Sequence, residues 1–364
     1  MRWRRAALIG LGFLGVILIY QTLYLACATA KVTGYGYAFD LWRGPVTRST
    51  IRLGAIETDV YSSSHSHFPV VLVHGVNENG KNNPELRTFA EMLAEAGFRV
   101  FVPELVRLTH QNVTPQDIDD VSLVFRSVQS DGGLFCASYG CGPALIAAAR
   151  PDIRDKVRFI VTFGAYFDFT DTLRFVITAP PSQLAYSKWV YMAANADLIH
   201  DDRDRMSLIA LARERQEKSP EEWSLGPEDL GSEGRAMLSL FESENPEQFN
   251  TRLEAVPDLR DRITRLSPSR YLAGVRSRLV IVHLESDPSI PSSESVRMAE
   301  AAKALGIPYS LTILNMYGHT KPVQLPFGIR SLFGFYLPEG LKAMRVVNEI
   351  ISTRRRLYED LGCI

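Results

Sequence analysis

The sequence predicts an α/β fold with a mostly parallel central sheet flanked by helices. In residues 68–169, short apolar runs alternate with segments of helical spacing, and the alternation resumes from residue 268. Such alternation is typical of parallel strands joined by right-handed crossovers. Between these stretches, residues 170–267 lack strand signals and contain helix-like runs. A third observation is a serine-centred pentapeptide that stands between a strand signal and a helix signal.

The first half of the chain predicts leading strands and then the start of the parallel sheet. Residues 31–66 mix Gly, Ser and Thr with short β-prone runs, which predict a linker and antiparallel strands. Pro69–Val76 is a continuous apolar run, as expected for a buried parallel strand. Further predicted elements, in order, are a helix from Pro84 to a stop at Gly97, a strand over Arg99–Pro103, a helix opened by Thr114 and Pro115, a strand at Gly133–Phe135 and a strand over Arg158–Phe163.

The second half predicts a helical segment and then the end of the sheet. The predicted elements are helices over Asp204–Glu217 and Gly234–Glu242, strands over Arg278–Leu284 and Ser310–Leu314, and a final helix over about Glu339–Leu357.

The pentapeptide Cys136-Ala137-Ser138-Tyr139-Gly140 is the most specific motif of the chain. A serine on a tight strand-to-helix turn is the nucleophile elbow of serine hydrolases. The turn is strained, so the residues two before and two after the serine must be small. Cys136 departs from the Gly that is usual in the first of these places. Taken alone, the pentapeptide fits an ordinary strand-to-helix turn equally well.

Residues 68–355 resemble the α/β-hydrolase family, because His74-Gly75 follows a buried strand and the serine turn comes later in the chain. In this family the loop after such a His-Gly pair supplies a backbone N–H to the oxyanion hole. The resemblance therefore implies that the amides of Val76 and Tyr139 bind the developing oxyanion. It assigns His74 a structural role in holding the loop. It also implies that the helices of residues 170–267 form a cap inserted after strand six.

The resemblance also supplies the two partners of Ser138. Asp287 follows a predicted strand and matches the family's catalytic acid, and His319 follows the predicted last strand and Gly318 and matches the catalytic base. The order Ser138, Asp287, His319 is the chain order of this fold. Asp168, which follows the strand after the elbow, and Glu285 are rival candidates for the acid.

The other histidines do not indicate a metal site. His65 and His67 stand in a Ser-rich loop without a neighbouring Cys or carboxylate cluster, and His110, His200 and His283 are isolated. We therefore expect no metal. No phosphate-binding glycine motif is present, so we expect no cofactor. The net charge of −1 gives no reason to expect nucleic acid as a partner.

The N-terminal segment predicts a membrane attachment. Three arginines within the first five residues precede an uncharged run, Ala6–Ala30. As a helix this run would span about 37 Å, more than the roughly 30 Å of a hydrocarbon core. The arginines favour a cytoplasmic N-terminus and an extracytoplasmic catalytic domain. Cleavage after Ala30, giving a secreted protein, and a lipidated Cys27 are alternatives.

The cysteines do not suggest a disulfide framework. Cys27 lies in the N-terminal segment, Cys136 and Cys141 flank the serine turn, and Cys363 is near the C-terminus. We expect Cys136 and Cys141 to serve by their small size rather than by redox chemistry.

Together these features predict five segments: a membrane or signal segment at 1–30, a linker with leading strands at 31–67, hydrolase core at 68–169, a helical cap at 170–267, and the rest of the core at 268–364. The predicted activity is hydrolysis of a small-molecule carboxylic ester, hydrophobic or lipid-like, through an acyl-enzyme. Thioesterase, lactonase and amidase activities are alternatives, as is a non-catalytic module that holds an apolar ligand. The sequence does not indicate an oligomeric state.

Overall fold

The computed structural model describes residues 45–64, 66–178, 181–315, 334–335 and 337–360. The predicted N-terminal membrane segment and His319 lie outside the described residues. Within those residues, no helix is both long enough and apolar enough to cross a bilayer.

Eight strands form one sheet. They are β1 Thr47–Leu53, β2 Ile56–Ser62, β3 Phe68–Val73, β4 Phe98–Pro103, β5 Gly132–Ala137, β6 Val157–Phe163, β7 Arg278–Leu284 and β8 Tyr309–Leu314. Their spatial order is β1-β2-β4-β3-β5-β6-β7-β8. The pairs β1–β2 and β2–β4 are antiparallel, and the other five pairs are parallel. The predicted leading antiparallel strands and the mostly parallel sheet are thus confirmed.

Helices connect the parallel strands and cover the sheet. The first group is α1 Pro84–Glu95, α2 Val106–Thr109, α3 Pro115–Ser127 and α4 Cys141–Ala148. Six helices follow β6: α5 Phe169–Thr178, α6 Pro181–Ala194, α7 Asp202–Glu217, α8 Ser232–Phe241, α9 Pro246–Leu253 and α10 Pro257–Arg265. The last two are α11 Ser293–Ala304, between β7 and β8, and α12 Leu337–Asp360. The helical insertion after the sixth strand is as predicted.

Local sequence signals explain where these helices begin. The side chain of Asn83 accepts a hydrogen bond from the Leu86 amide at the start of α1. At the start of α3, the Thr114 amide donates to the Asp117 carboxylate over 2.7 Å in a capping box. Each arrangement satisfies amide groups that have no partner within the helix.

The core lies on both faces of the sheet. The side chains of β3 are all buried, which explains why this strand is a continuous apolar run rather than an alternating one. On one face the ring of Phe135 packs edge-on against Phe89, Phe98 and Phe159 at centroid distances of 6.0, 5.9 and 5.8 Å. Such aromatic pairs each contribute about 0.5–1.5 kcal/mol beyond their buried area. These contacts fix β5, the strand that leads into the serine turn.

The sheet topology brings the candidate site residues to one edge. Parallel strands end at the same edge, so the segments that follow β3, β5, β6 and β7 lie side by side. His74 follows β3, Ser138 follows β5, Asp168 comes after β6, and Asp287 comes after β7.

Candidate active site

Ser138 stands on a strained turn between β5 and α4. Its φ angle is +50°, in the left-handed region that residues other than glycine and asparagine seldom adopt. Such a conformation costs about 1–3 kcal/mol and persists only where the surrounding structure imposes it. Gly140 is one reason for the tightness, since a Cβ at this position would lie 2.0 Å from the carbonyl oxygen of His74. The backbone of His74 thus approaches position 140 so closely that a larger residue would not fit there, as predicted for the residue two positions after the serine.

The loop after β3 packs directly against this turn. A Cβ on Gly75 would lie 3.0 Å from the Ser138 Cβ and 3.1 Å from the carbonyl oxygen of Ala137. Val76, the next residue, is partly buried beside the core. The structure therefore places the backbone of both predicted oxyanion donors, Val76 and Tyr139, in segments adjacent to Ser138.

Two observations decide the fold. The sheet has the strand order β1-β2-β4-β3-β5-β6-β7-β8, and a serine with left-handed backbone angles follows β5. The chain has the α/β-hydrolase fold. The turn stands at the position of the nucleophile elbow in this fold, and β5 pairs in parallel with both of its neighbours, β3 and β6.

Solved structures of similar fold include hydrolases of several kinds. An acylaminoacyl peptidase of Pyrococcus horikoshii has a TM-score of 0.49 and 11% identity, over 87% of this chain and 42% of its own. A hormone-sensitive lipase from a metagenome library has a TM-score of 0.46 and 14% identity, over 85% and 86% of the two chains. Brefeldin A esterase, a bacterial homologue of human hormone-sensitive lipase, has a TM-score of 0.44 and 15% identity, over 93% and 87%. The chain thus spans less than half of the first of these proteins.

No protein-family model matches the sequence. No curated protein matches it by sequence similarity. At the identities and TM-scores of the solved structures, the similarity carries no argument about activity or substrate.

His74 is occupied by the backbone on both sides of its ring. Its Nδ1 lies 2.7 Å from the Gly75 carbonyl oxygen and donates to it, and its Nε2 accepts from the Leu105 amide over 3.1 Å. Burial lowers the pKa of this imidazole, which agrees with a neutral ring that accepts at Nε2. These contacts join the loop after β3 to the segment after β4. His74 is thus engaged in holding the loop, as the sequence suggested.

The two carboxylate oxygens of Asp287 differ in their hydrogen bonds. Its Oδ1 accepts from the amides of Ser289 and Ile290 over 2.8 and 3.1 Å. Its Oδ2 lies 3.9 Å from the His283 Nε2. The same oxygen would lie 3.3 Å from a Cβ placed on Gly164, so the backbone of Gly164 is close to it. The side chain is largely buried, with 16% exposure. Among the described residues, no hydrogen bond engages Oδ2, so this oxygen is available to a base.

Asp168 is committed to local structure. Its Oδ1 accepts from the Thr170 amide over 2.9 Å and so stabilises the start of α5, and its Oδ2 accepts from the Ser269 hydroxyl over 3.0 Å. Both oxygens are therefore bound, in contrast to those of Asp287. The other rival, Glu285, is exposed, and its amide continues the pairing of β7 with the carbonyl oxygen of Leu314.

Aromatic side chains surround the residue after the nucleophile. Tyr139 lies 5.3, 5.8 and 5.9 Å, between ring centroids, from Tyr191, Tyr166 and Phe169. Burial raises the pKa of Tyr139, so its hydroxyl stays protonated and donates to the carbonyl oxygen of Ser289 over 3.1 Å. Of these three aromatic neighbours, Tyr191 belongs to α6 of the helical insertion, which thus contacts the residue after Ser138.

Two tryptophans of the insertion, Trp189 and Trp223, have a packing role. Trp189 and Trp223 meet edge-to-face at 6.1 Å, and the guanidinium of Arg215 lies over both rings at 4.7 and 4.5 Å. The Arg215 side chain is almost fully buried and forms an ion pair with Glu242. A buried cation over two indole rings stabilises the insertion.

The prediction about the cysteines was wrong. Cys136, in β5, and Cys141, at the start of α4, form a disulfide, with their Cα atoms 4.9 Å apart. The strand-turn-helix geometry folds residues of sequence separation five back toward each other, into the 4.4–6.8 Å range that a disulfide requires. The small volume that suggested a packing role is thus combined with a crosslink.

Three further histidines, His110, His200 and His283, serve local structure. His283 is buried between the Ser295 hydroxyl at 2.6 Å and the Ile290 carbonyl oxygen at 2.9 Å. His110 bonds to the Val106 carbonyl oxygen, and His200 to Glu233. Over the part of the chain that the structure describes, no group of three or more His, Cys, Asp or Glu residues could hold a metal ion.

Proposed function

We propose that this chain is a serine hydrolase that cleaves a carboxylic ester through an acyl-enzyme. The observation that carries the proposal is the left-handed Ser138, held between the turn glycine Gly140 and the His74-Gly75 loop. A strained backbone of this kind at the edge of a parallel sheet is retained where it aims a side chain at a substrate. Within the described residues, no hydrogen bond engages the Ser138 hydroxyl.

In this mechanism Ser138 attacks the ester carbonyl. His319, in the segment after β8, removes the serine proton and later delivers it to the leaving alcohol. The free Oδ2 of Asp287 accepts from the imidazole and stabilises its protonated form. The amides of Val76 and Tyr139 bind the oxyanion of the tetrahedral intermediate, where the loss of one such donor costs about 3 kcal/mol in the barrier. Water then hydrolyses the acyl-enzyme by the same proton transfers in reverse.

We assign a hydrophobic ester as the substrate class, with the insertion at residues 170–267 acting as a cap over Ser138. Tyr191 of α6 packs on Tyr139, next to the nucleophile, and Tyr166 and Phe169 extend the apolar surface from the core side. This buried aromatic cluster makes the surroundings of the elbow apolar, which supports an apolar acyl or alcohol group rather than a charged one.

A fluorophosphonate probe tests the activity. The wild type should be labelled on Ser138, and Ser138→Ala should lose both labelling and ester turnover. Ser127→Ala is the matched control, because the hydroxyl of this exposed serine donates to the Leu123 carbonyl oxygen of its own helix. An unlabelled but folded wild type would refute the proposal and favour a module that holds an apolar ligand.

We also propose that the catalytic domain is extracytoplasmic and attached through its N-terminal segment. The disulfide next to the nucleophile supports this location, since disulfides persist mainly in oxidising compartments. Deletion of residues 1–30 should give an active domain that no longer sediments with membranes. An active full-length protein that is already absent from membranes would contradict the attachment.

A further inference from the structure

The disulfide spans the nucleophile. Cys136 stands two residues before Ser138 and Cys141 three residues after it, and both side chains are fully buried. Cys136 occupies the place where the family usually has Gly, so here a crosslink replaces a residue that is only small. The disulfide joins the end of β5 to the first residue of α4 without passing through the serine turn.

The contacts of the turn explain why a crosslink matters at this point. Ser138 is held in its left-handed conformation from one side by the loop after β3, through the close approaches of Gly75 and Gly140. Those are non-covalent contacts between backbone segments, and the loop that provides them is partly exposed. The disulfide adds a covalent constraint, since it fixes the distance between β5 and α4, the two elements that the turn connects.

We propose that the Cys136–Cys141 disulfide positions the nucleophile, so that the hydrolase is fully active only in its oxidised form. This role rests on the proposed function of Ser138. Reduction leaves β5 and α4 connected only through the turn, which then relaxes toward less strained backbone angles. The serine oxygen moves away from the position from which it attacks the ester, and small displacements of this kind lower the rate strongly.

The redox step has a defined balance. On oxidation the two thiols of Cys136 and Cys141 each lose one proton and one electron, and the S–S bond forms. The two electrons reduce the disulfide of an oxidised dithiol-exchange protein or a low-molecular-weight disulfide to two thiols. Dithiothreitol reverses the reaction, since its two thiols become a cyclic disulfide while both cysteines regain their protons.

The experiment compares oxidised wild type, dithiothreitol-treated wild type and Cys136→Gly/Cys141→Ala. Mass spectrometry after alkylation of a quenched sample counts the free thiols in each. The measured quantities are kcat and KM for a neutral nitrophenyl ester and the rate of fluorophosphonate labelling at Ser138, all well below the melting temperature. We expect reduction and the double substitution each to lower kcat and the labelling rate by about tenfold or more, with KM changed little. The double variant should no longer respond to dithiothreitol.

Several outcomes would overturn the positioning role. One is a folded double variant with the kcat and labelling rate of the wild type, because the disulfide would then only stabilise the fold. A second is free thiols at both positions in protein kept under air. If the variant does not fold, the comparison of oxidised with reduced wild type decides alone, and equal rates there reject the proposal. Absence of labelling in a crosslinked, folded wild type would instead reject the proposed function, and the positioning role with it.

Discussion

The hydroxyl of Tyr139 donates a hydrogen bond to the backbone carbonyl of Ser289, 3.1 Å away. This bond joins the residue after the nucleophile to the loop that carries Asp287, whose Oδ1 in turn accepts from the Ser289 amide. The elbow and the acid loop come from strands separated by β6, 150 residues apart in the chain. The side chain of Tyr139 therefore fixes the loop that carries Asp287, in addition to the oxyanion role that we propose for its amide.

Removal of this hydroxyl should disturb the acid loop without removing the oxyanion donor. Tyr139→Phe keeps the aromatic packing but leaves the carbonyl of the partly buried Ser289 without this partner, at a cost of about 0.5–1.5 kcal/mol in stability. We expect kcat for an ester to fall by about tenfold, with KM close to that of wild type. Denaturant unfolding and steady-state kinetics of the purified variant measure both effects. Tyr309→Phe, on the half-buried edge strand β8, is the aromatic control; an equal loss there would argue against a specific link.

The acid is identified by comparing two aspartates. Asp287→Asn should lower kcat by about 10⁴, because the amide cannot hold the imidazole in the required tautomer. Asp168→Asn should lower stability and change kcat little, since both of its carboxylate oxygens serve α5 and Ser269. Steady-state kinetics and thermal melting of the two variants provide the comparison. If Asp168→Asn were instead the inactive variant with an unchanged melting temperature, the acid would lie after β6.

The start of the segment that leads to His319 is fixed by α12. The Asn315 amide donates to the Glu339 Oε2 over 2.7 Å, and the Lys342 Nζ donates to the Glu339 Oε1 and to the Ile313 carbonyl oxygen. Burial raises the pKa of the Glu339 carboxyl, but the hydrogen bonds from Lys342 and Asn315 outweigh this, and the net pKa is lowered. The ionised carboxylate is thus the form that the fold stabilises.

Glu339→Gln should therefore weaken the attachment of α12 to the strand before the catalytic base. We expect lower stability and a fall of several-fold in kcat, since a neutral amide binds the Lys342 ammonium less strongly. The stability difference from wild type should be full at neutral pH and vanish as the pH falls through the lowered pKa of Glu339. Urea unfolding at pH 7 and below pH 4 measures this difference. Glu349→Gln, which releases Arg278 from the same helix, is the control for kcat.

The sequence predicted the fold more completely than it predicted the connections within the site. Apolar runs such as Pro69–Val73 report burial directly, so the strands could be predicted in the order in which they follow one another along the chain. Gly140 could be related to the tight turn because it stands two residues after Ser138, where the strained turn requires a small residue. The bond between Asp168 and Ser269 and the bond between Glu339 and Asn315 depend on which segments meet in space, since these partners are 101 and 24 residues apart in the chain. The disulfide joins residues only five apart, but the small size of both cysteines fitted a packing role equally well, so the sequence did not distinguish the two.

Two buried neutral histidines should make the fold sensitive to mild acid. Burial is the largest influence on His74 and on His283, and it leaves the pKa of each ring lowered. In the unfolded chain the pKa of histidine is about 6.5. Below that value the unfolded state takes up protons that the folded state resists, so stability is full above about pH 6.5 and declines as the pH falls.

We expect the free energy of unfolding to fall between pH 6.5 and pH 5 by up to about 1.4 kcal/mol per pH unit for each of these groups. His283→Asn removes one of them, so its pH slope should be shallower than that of wild type. His110→Asn, at an exposed position, serves as the control. Urea unfolding across this range provides the slopes, and a wild-type stability independent of pH would show that these rings are not held neutral.

The pH dependence of activity should distinguish the proposed base, His319, from His74. A general base must be neutral to accept the serine proton, and an unperturbed imidazole has a pKa near 6.5. For a neutral ester, kcat/KM should therefore fall on acidification through about pH 6–7 with the slope of a single proton. His319→Ala should remove nearly all of the activity.

We expect His74 to act through the position of the loop after β3 and not by proton transfer, because its Nδ1 and Nε2 are both bound to backbone groups. His74→Gln should consequently lower kcat through the displaced Gly75 and Val76 backbone while it keeps the same acidic limb in the pH profile. Measurement of both variants and wild type between pH 5 and pH 9, with circular dichroism to establish that each is folded, gives the comparison. A folded, inactive His74→Gln together with a nearly normal His319→Ala would reverse the two assignments, and the base would then have to be sought at the end of β3 rather than after β8.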